Sequence, residues 1–126
     1  MKLLFDTHVI LWAFENPESL SADLLTAIRA GAHKVASVAS LWEIALKIAR
    51  GKLVAPDDLP DRLLKAGFEI LPVTAGHAWA VRSANDRLKT ADPFDRLLFT
   101  QAKLEGLVLA TRDRALLRSG AAVLEA

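Results

Sequence analysis

The stretch from Lys2 to Phe14, "KLLFDTHVILWAF", decides how the chain folds. Its opening "KLLF" reads as a buried strand, and an apolar helical pattern follows from about Thr7 to Phe14. Asp6 stands at the junction, with apolar residues on both sides. Desolvating a lone carboxylate is costly, so Asp6 must be hydrogen-bonded, paired or held by a cation.

The same alternation continues outward from this segment. "NPES" is a turn, and "SADLLTAIRAG" is a helix with Ser21 as N-cap and Gly31 just past its end. "KVASV" is a second strand, leading into the helix "SLWEIALKIARGK", which Gly51 ends. "PDDLPDRLLKAG" is a short helix closed by Gly67, "EILPV" a third strand, and "AGHAWAVRSANDRL" helical. "DPFDRLLFTQAKLEG" is a strong helix, with Pro93 at its first position and Gly106 at its end. "LVLAT" gives a fourth strand, "RALLRSG" a short helix and "AAVLE" a fifth strand. Short apolar strands alternating with helices define an α/β fold: a central parallel sheet of four to five strands with helices on both faces.

Composition narrows the function. The 126 residues hold no repeat or linker, so 1–126 is expected to be one domain. A net charge of +1 excludes a basic nucleic-acid coat, so any binding of RNA or DNA must use a local patch or a metal. The chain has no Cys, which removes disulfides, thiolate zinc sites and thiol nucleophiles and fits a reducing compartment. No signal-peptide pattern opens it, and no run reaches the roughly 18 uncharged apolar residues of a membrane span. The expectation is a soluble cytoplasmic protein without membrane contact. There is no P-loop, dinucleotide fingerprint or nucleophile-elbow motif, and a receiver-type domain would need acids that "FDTH" and "LPVTAG" lack.

In a parallel sheet with crossover helices, helix N-termini lie at the carboxyl edge of the strands, where ligands bind. Asp6 ends strand one, and Asp113 lies just past strand four. Glu43 is expected in the first turn of the helix after strand two, and Asp95 in the first turn of the helix before strand four. Each has an ordinary structural explanation. Asp6 and Asp113 can be N-caps, Ser40 to Glu43 has capping-box spacing, and Asp92-Pro93-Phe94-Asp95 suits a helix start. Together they are harder to dismiss, because two carboxylates about 5 Å apart repel by roughly 3 kcal/mol at an effective dielectric near 20. Helix N-termini return only about 0.3–1 kcal/mol each. A divalent cation would hold such a cluster, and all-oxygen ligation points to Mg²⁺, or Mn²⁺.

Three segments, "LLFDTHVILWA", "SVASLWEIALKIARGKL" and "ADPFDRLLFTQAKLEGLVLATRD", carry a resemblance that covers nearly the whole chain. In that order they resemble PIN-domain ribonucleases of the VapC type, the toxins of bacterial toxin–antitoxin pairs. The resemblance implies a Mg²⁺-dependent endoribonuclease that hydrolyses RNA phosphodiester bonds with metal-activated water. It implies catalytic roles for Asp6, Glu43, Asp95 and Asp113, with Thr111 a supporting hydroxyl, and a homodimer neutralised by a cognate antitoxin.

Asp6 and Asp113 are the expected direct ligands, with Asp95 either completing the set or sharing with Glu43 the task of orienting and deprotonating water. Lys47 and Arg96, neighbours of Glu43 and Asp95, are expected to support substrate phosphates; Arg50 and Lys52 read as solvated surface. His8, His33 and His77 lack metal-site spacing and read as structural, His8 alone lying near the edge. Trp12, Phe14 and Trp42 at helical spacing read mainly as core, with an apolar antitoxin groove beside the first two helices. The alternative function is a catalytically inactive PIN-like module that binds RNA or protein.

Overall fold

The computed structural model describes residues 1–83 and 92–126. Five strands and seven α-helices alternate along them. The strands are β1 (Lys2–Phe5), β2 (His33–Ser37), β3 (Glu69–Leu71), β4 (Val108–Thr111) and β5 (Val123–Glu125). The helices are α1 (Thr7–Glu15), α2 (Ala22–Arg29), α3 (Val38–Ala49), α4 (Leu59–Lys65), α5 (Ala75–Ala80), α6 (Pro93–Glu105) and α7 (Arg114–Leu117). The helical expectation for 75–88 holds through Ala80 and a 3₁₀ turn at Val81–Ser83, and its last part lies outside the described residues.

All pairings are parallel, in the order β3-β2-β1-β4-β5. The central pair is β1 and β4, with Leu4 opposite Leu109 and Phe5 opposite Ala110. Because side chains alternate along a strand, the sheet buries both faces. Leu3, Phe5, Ala36 and Ala110 belong to a core with Val9, Ile10, Leu24 and Leu63; Leu4, Val35 and Leu109 belong to another with Leu98, Phe99 and Leu116. No helix among the described residues is long and apolar enough to cross a membrane.

The caps agree with the sequence at α2 and α6. Ser21 accepts from the Leu24 N–H, and Asp92 accepts from Phe94 and Asp95. Gly106 closes α6 at φ +64°, a left-handed conformation that costs glycine nothing. One boundary differs. The N-cap of α3 is Ser37, whose hydroxyl accepts from Ala39, so Glu43 is not in the first turn and Ser40 forms no capping box with it. Strand β2 passes straight into α3, and buried Ser40 instead receives the Thr7 hydroxyl at 3.0 Å.

Candidate active site

Five carboxylates meet at the carboxyl edge of the sheet. A cleft of about 390 Å³ is lined by Asp6, Glu43, Asp92, Asp95 and Asp113, together with His8, Trp12, Lys47 and Arg112. All four acids expected from sequence are thus brought together, from α1, α3, α6 and α7 or their caps. Asp92, read only as a cap, joins them.

Local structure explains each position. Asp6 caps α1: one carboxylate oxygen accepts from the Thr7 N–H at 2.6 Å and the other from the Thr111 hydroxyl at 2.8 Å. Its own N–H donates to Ala110, locking it to β4. Thr111 also accepts from the Asp113 N–H at 3.0 Å, and Asp113 caps α7 through Leu116. One fully buried hydroxyl therefore sets the relation between the two acids on the central strands. Glu43 is buried, and Lys47, one helical turn on, reaches it at 3.0 Å. Trp42 and Phe94, the residues before Glu43 and Asp95, pack edge to face with ring centroids 4.9 Å apart, tying α3 to α6.

The electrostatics record the crowding. Burial pushes the Asp95 carboxyl up to about 7, and the charges of Asp92, Asp6, Asp113 and Glu43 add to the effect. Burial also raises Asp6, opposed by the Thr111 and Thr7 hydrogen bonds and the nearby His8, and reinforced by Glu43. Repulsion and desolvation act in the same direction on Asp95, and either a proton or a cation relieves them.

The donors suit a hard divalent ion, being carboxylate oxygens with no sulfur among them. Among the described residues no three His, Asp or Glu side chains form a ready-made metal cage. Mg²⁺ does not require one, because it keeps several waters and takes one or two carboxylates.

Lys47 lies in the cleft, whereas Arg96 does not line it: its guanidinium is directed to the Val81 carbonyl at 3.4 Å. His77 is structural, buried against Glu105. His33 is exposed and pairs with Glu69. His8, placed near the edge by the sequence, lines the cleft together with Trp12 and Arg112. Trp42 is 57% exposed rather than core, while Trp12 and Phe14 are half-buried.

The parallel α/β sheet carries an acid cleft at its carboxyl edge, and the PIN domain model matches residues 3–121. The chain belongs to the PIN domain family, whose members are generally nucleases. A search of curated proteins finds no match. Among solved structures, the fold is similar to VapBC2 from Rickettsia felis bound to a promoter DNA fragment, with TM-score 0.72, 17% identity and coverage of 99% of this chain and 98% of that one. DNA-bound VapBC from Salmonella typhimurium gives TM-score 0.70, 18% identity and 99% and 97% coverage. FitAcB from Neisseria gonorrhoeae gives 0.59, 20% identity and 98% and 96% coverage.

Proposed function

We propose that this PIN domain is the toxin of a toxin–antitoxin pair, a Mg²⁺- or Mn²⁺-dependent endoribonuclease. The observation that carries the reading is the convergence of Asp6, Glu43, Asp92, Asp95 and Asp113 on one cleft. A bound divalent ion would polarise the scissile phosphate and ease deprotonation of water. Asp6 and Asp113 would hold it, with Asp95 as third ligand or proton acceptor.

The chain's own residues supply the rest. Thr111 keeps Asp6 and Asp113 in register. Glu43, held by Lys47, orients the attacking water, and Asp95, with its raised affinity for a proton, is suited to take one from it. Water oxygen would bond to phosphorus as the P–O3′ bond breaks, a water proton passing to Asp95 and the departing 3′ oxygen taking its proton from solvent. The products are a 5′-phosphate and a 3′-hydroxyl. Lys47 gives the strand a cation beside the acids.

The partners follow the same reading. A mostly apolar crevice beside α1 and α2, lined by Phe14, Pro17, Leu25, Ile28 and Phe68 together with Lys34, suits an antitoxin helix. Exposed Val38, Trp42 and Ile48 along α3 border a second apolar groove, suited to a homodimer contact.

The test is cleavage of single-stranded RNA by purified protein in Mg²⁺ or Mn²⁺ and in EDTA, beside Asp95→Asn. Metal-dependent cleavage lost in the variant, together with growth arrest on expression of wild type alone, is the expected result. Equal cleavage by the variant removes Asp95 from the catalytic set. The second reading, an inactive binding module, is favoured by the Glu43–Lys47 pair, which already neutralises one acid. It predicts RNA or protein binding with no cleavage and no thermal response to metal.

A further inference from the structure

We infer that His8 is a stacking surface for a nucleobase next to the phosphate held by the acids. The inference rests on the cleft being an RNA-cleaving site and adds its base-contacting part. His8 is the second residue of α1, exposed between buried Thr7 and Val9, and it lines the cleft two positions from Asp6. It makes no hydrogen bond to any described residue; its ring contact is with Trp12 one turn on, centroids 6.0 Å apart and planes tilted by 37°.

Trp12 is the fixed backing of this pair. It packs against the core, and the Arg112 guanidinium lies 4.4 Å from its ring centroid. Arg112 is itself tied down, donating to the Ala126 carbonyl at 2.6 Å and to the Ser19 carbonyl. Arg112 is therefore anchored to the protein rather than free to follow a substrate, and Trp12 is partly covered. His8 is the member of the trio with an open surface. An RNA strand that brings a phosphate to the carboxylates must place its adjacent bases along the rim. An exposed ring backed by a second ring offers stacking there, and stacking is tolerant of sequence because every base has a π face.

The experiment is fluorescence anisotropy of a short single-stranded RNA in Ca²⁺ buffer, strand integrity being checked on a gel. Strands with one abasic position walked along their length are compared with the intact strand. Wild type should bind the intact strand roughly 5- to 100-fold more tightly than the strand abasic at one particular position. His8→Ala should lose that factor on the intact strand and show no abasic penalty, while His8→Phe retains both. Because His8 is exposed, thermal melts of both variants should match wild type. His8→Ala binding like wild type overturns the inference, as does binding rescued by His8→Lys but not by His8→Phe, which would mean a charge contact. Wild type that cuts RNA while His8→Ala binds equally well removes the stacking role alone. Wild type that neither binds nor cuts RNA removes the nuclease reading with it.

Discussion

The Ser37 hydroxyl donates to the Gln101 side-chain oxygen at 2.5 Å, joining the N-cap of α3 to the middle of α6. Gln101 Nε2 in turn donates to the Pro72 carbonyl and lies 3.2 Å from His77 Nδ1. His77 Nδ1 also accepts from the Thr74 N–H, so its proton sits on Nε2, facing Glu105 at 2.8 Å. Ser37, Gln101 and His77 are all buried. The helices that carry Glu43 and Asp95 are thus bolted together by polar groups inside an apolar core.

Gln101→Leu should therefore destabilise the protein by about 2–4 kcal/mol, since several buried polar atoms lose a partner at once. Urea denaturation checks this. A loss below about 0.5 kcal/mol would mean that water or repacking replaces the amide, and that the bridge is not what holds α3 to α6.

Asp95 predicts a pH dependence with a definite sign. Its carboxyl is raised from an ordinary 3.8 to about 7. An acid raised by folding holds more protons in the native state between those values, so metal-free stability falls as pH rises from about 4 to 7. Asp95→Asn should flatten that fall and be more stable than wild type at pH 7.5 by about 1–2 kcal/mol, the one-site linkage value reduced for solvent screening. Denaturation series at several pH values test it; parallel curves for the two proteins would refute it.

Asp6→Asn separates capping from metal binding. Asparagine caps a helix about as well as aspartate, so a pure cap would leave stability and metal response unchanged. If Asp6 shares a crowded site, the variant should gain about 1 kcal/mol without metal, less at high salt. Wild type should rise in melting temperature on adding Mn²⁺, by mass action on the folded state, and the variant should rise little and lose RNA cleavage. Melts with and without Mn²⁺, beside a cleavage assay, decide.

Thr111→Val removes both the hydrogen bond to Asp6 and the acceptor for the Asp113 N–H. The expected cost is about 1–3 kcal/mol of stability, with a larger loss in metal affinity than in fold. Thr111→Ser should restore both. Calorimetric titration with Mn²⁺ on all three proteins measures the difference.

Strands and helices were legible because capping residues and glycines stand where the apolar period changes: Asp6, Ser21, Asp92 and Gly106 each act as their neighbours imply. The start of α3 was not legible. Ser37 and Ser40 are both good caps, and only Ser40 has an acid three residues on; the choice is made by Gln101, 64 positions away, which fixes Ser37. Asp6 and Asp113 were found from their places at strand ends, and Glu43 and Asp95 from expected helix starts, of which the one for Glu43 lies a turn too late. Asp92 was hidden because its capping role explained it fully. The place of His8 near the edge was legible, but the contacts that His8 and Arg112 make with Trp12 are encoded by no spacing rule. Arg96 looked suited to phosphate beside Asp95, yet the helix turns its guanidinium to Val81.

The hydrogen bond between Thr111 and Asp6 spans 105 positions of the chain, and the two strands that carry them are adjacent. On a ribosome adding roughly 5–20 residues per second, Asp6 is made about 5–20 seconds before its partner. Through that interval β1 has no β4 beside it, and a nascent chain stopped short of β4 contains neither Thr111 nor Asp113. Closing so long a loop is also a slow, late event in folding. The cleft consequently forms only once β4 and the residues just after it have been translated, and a fragment released before that carries the first acids without the strand that organises them.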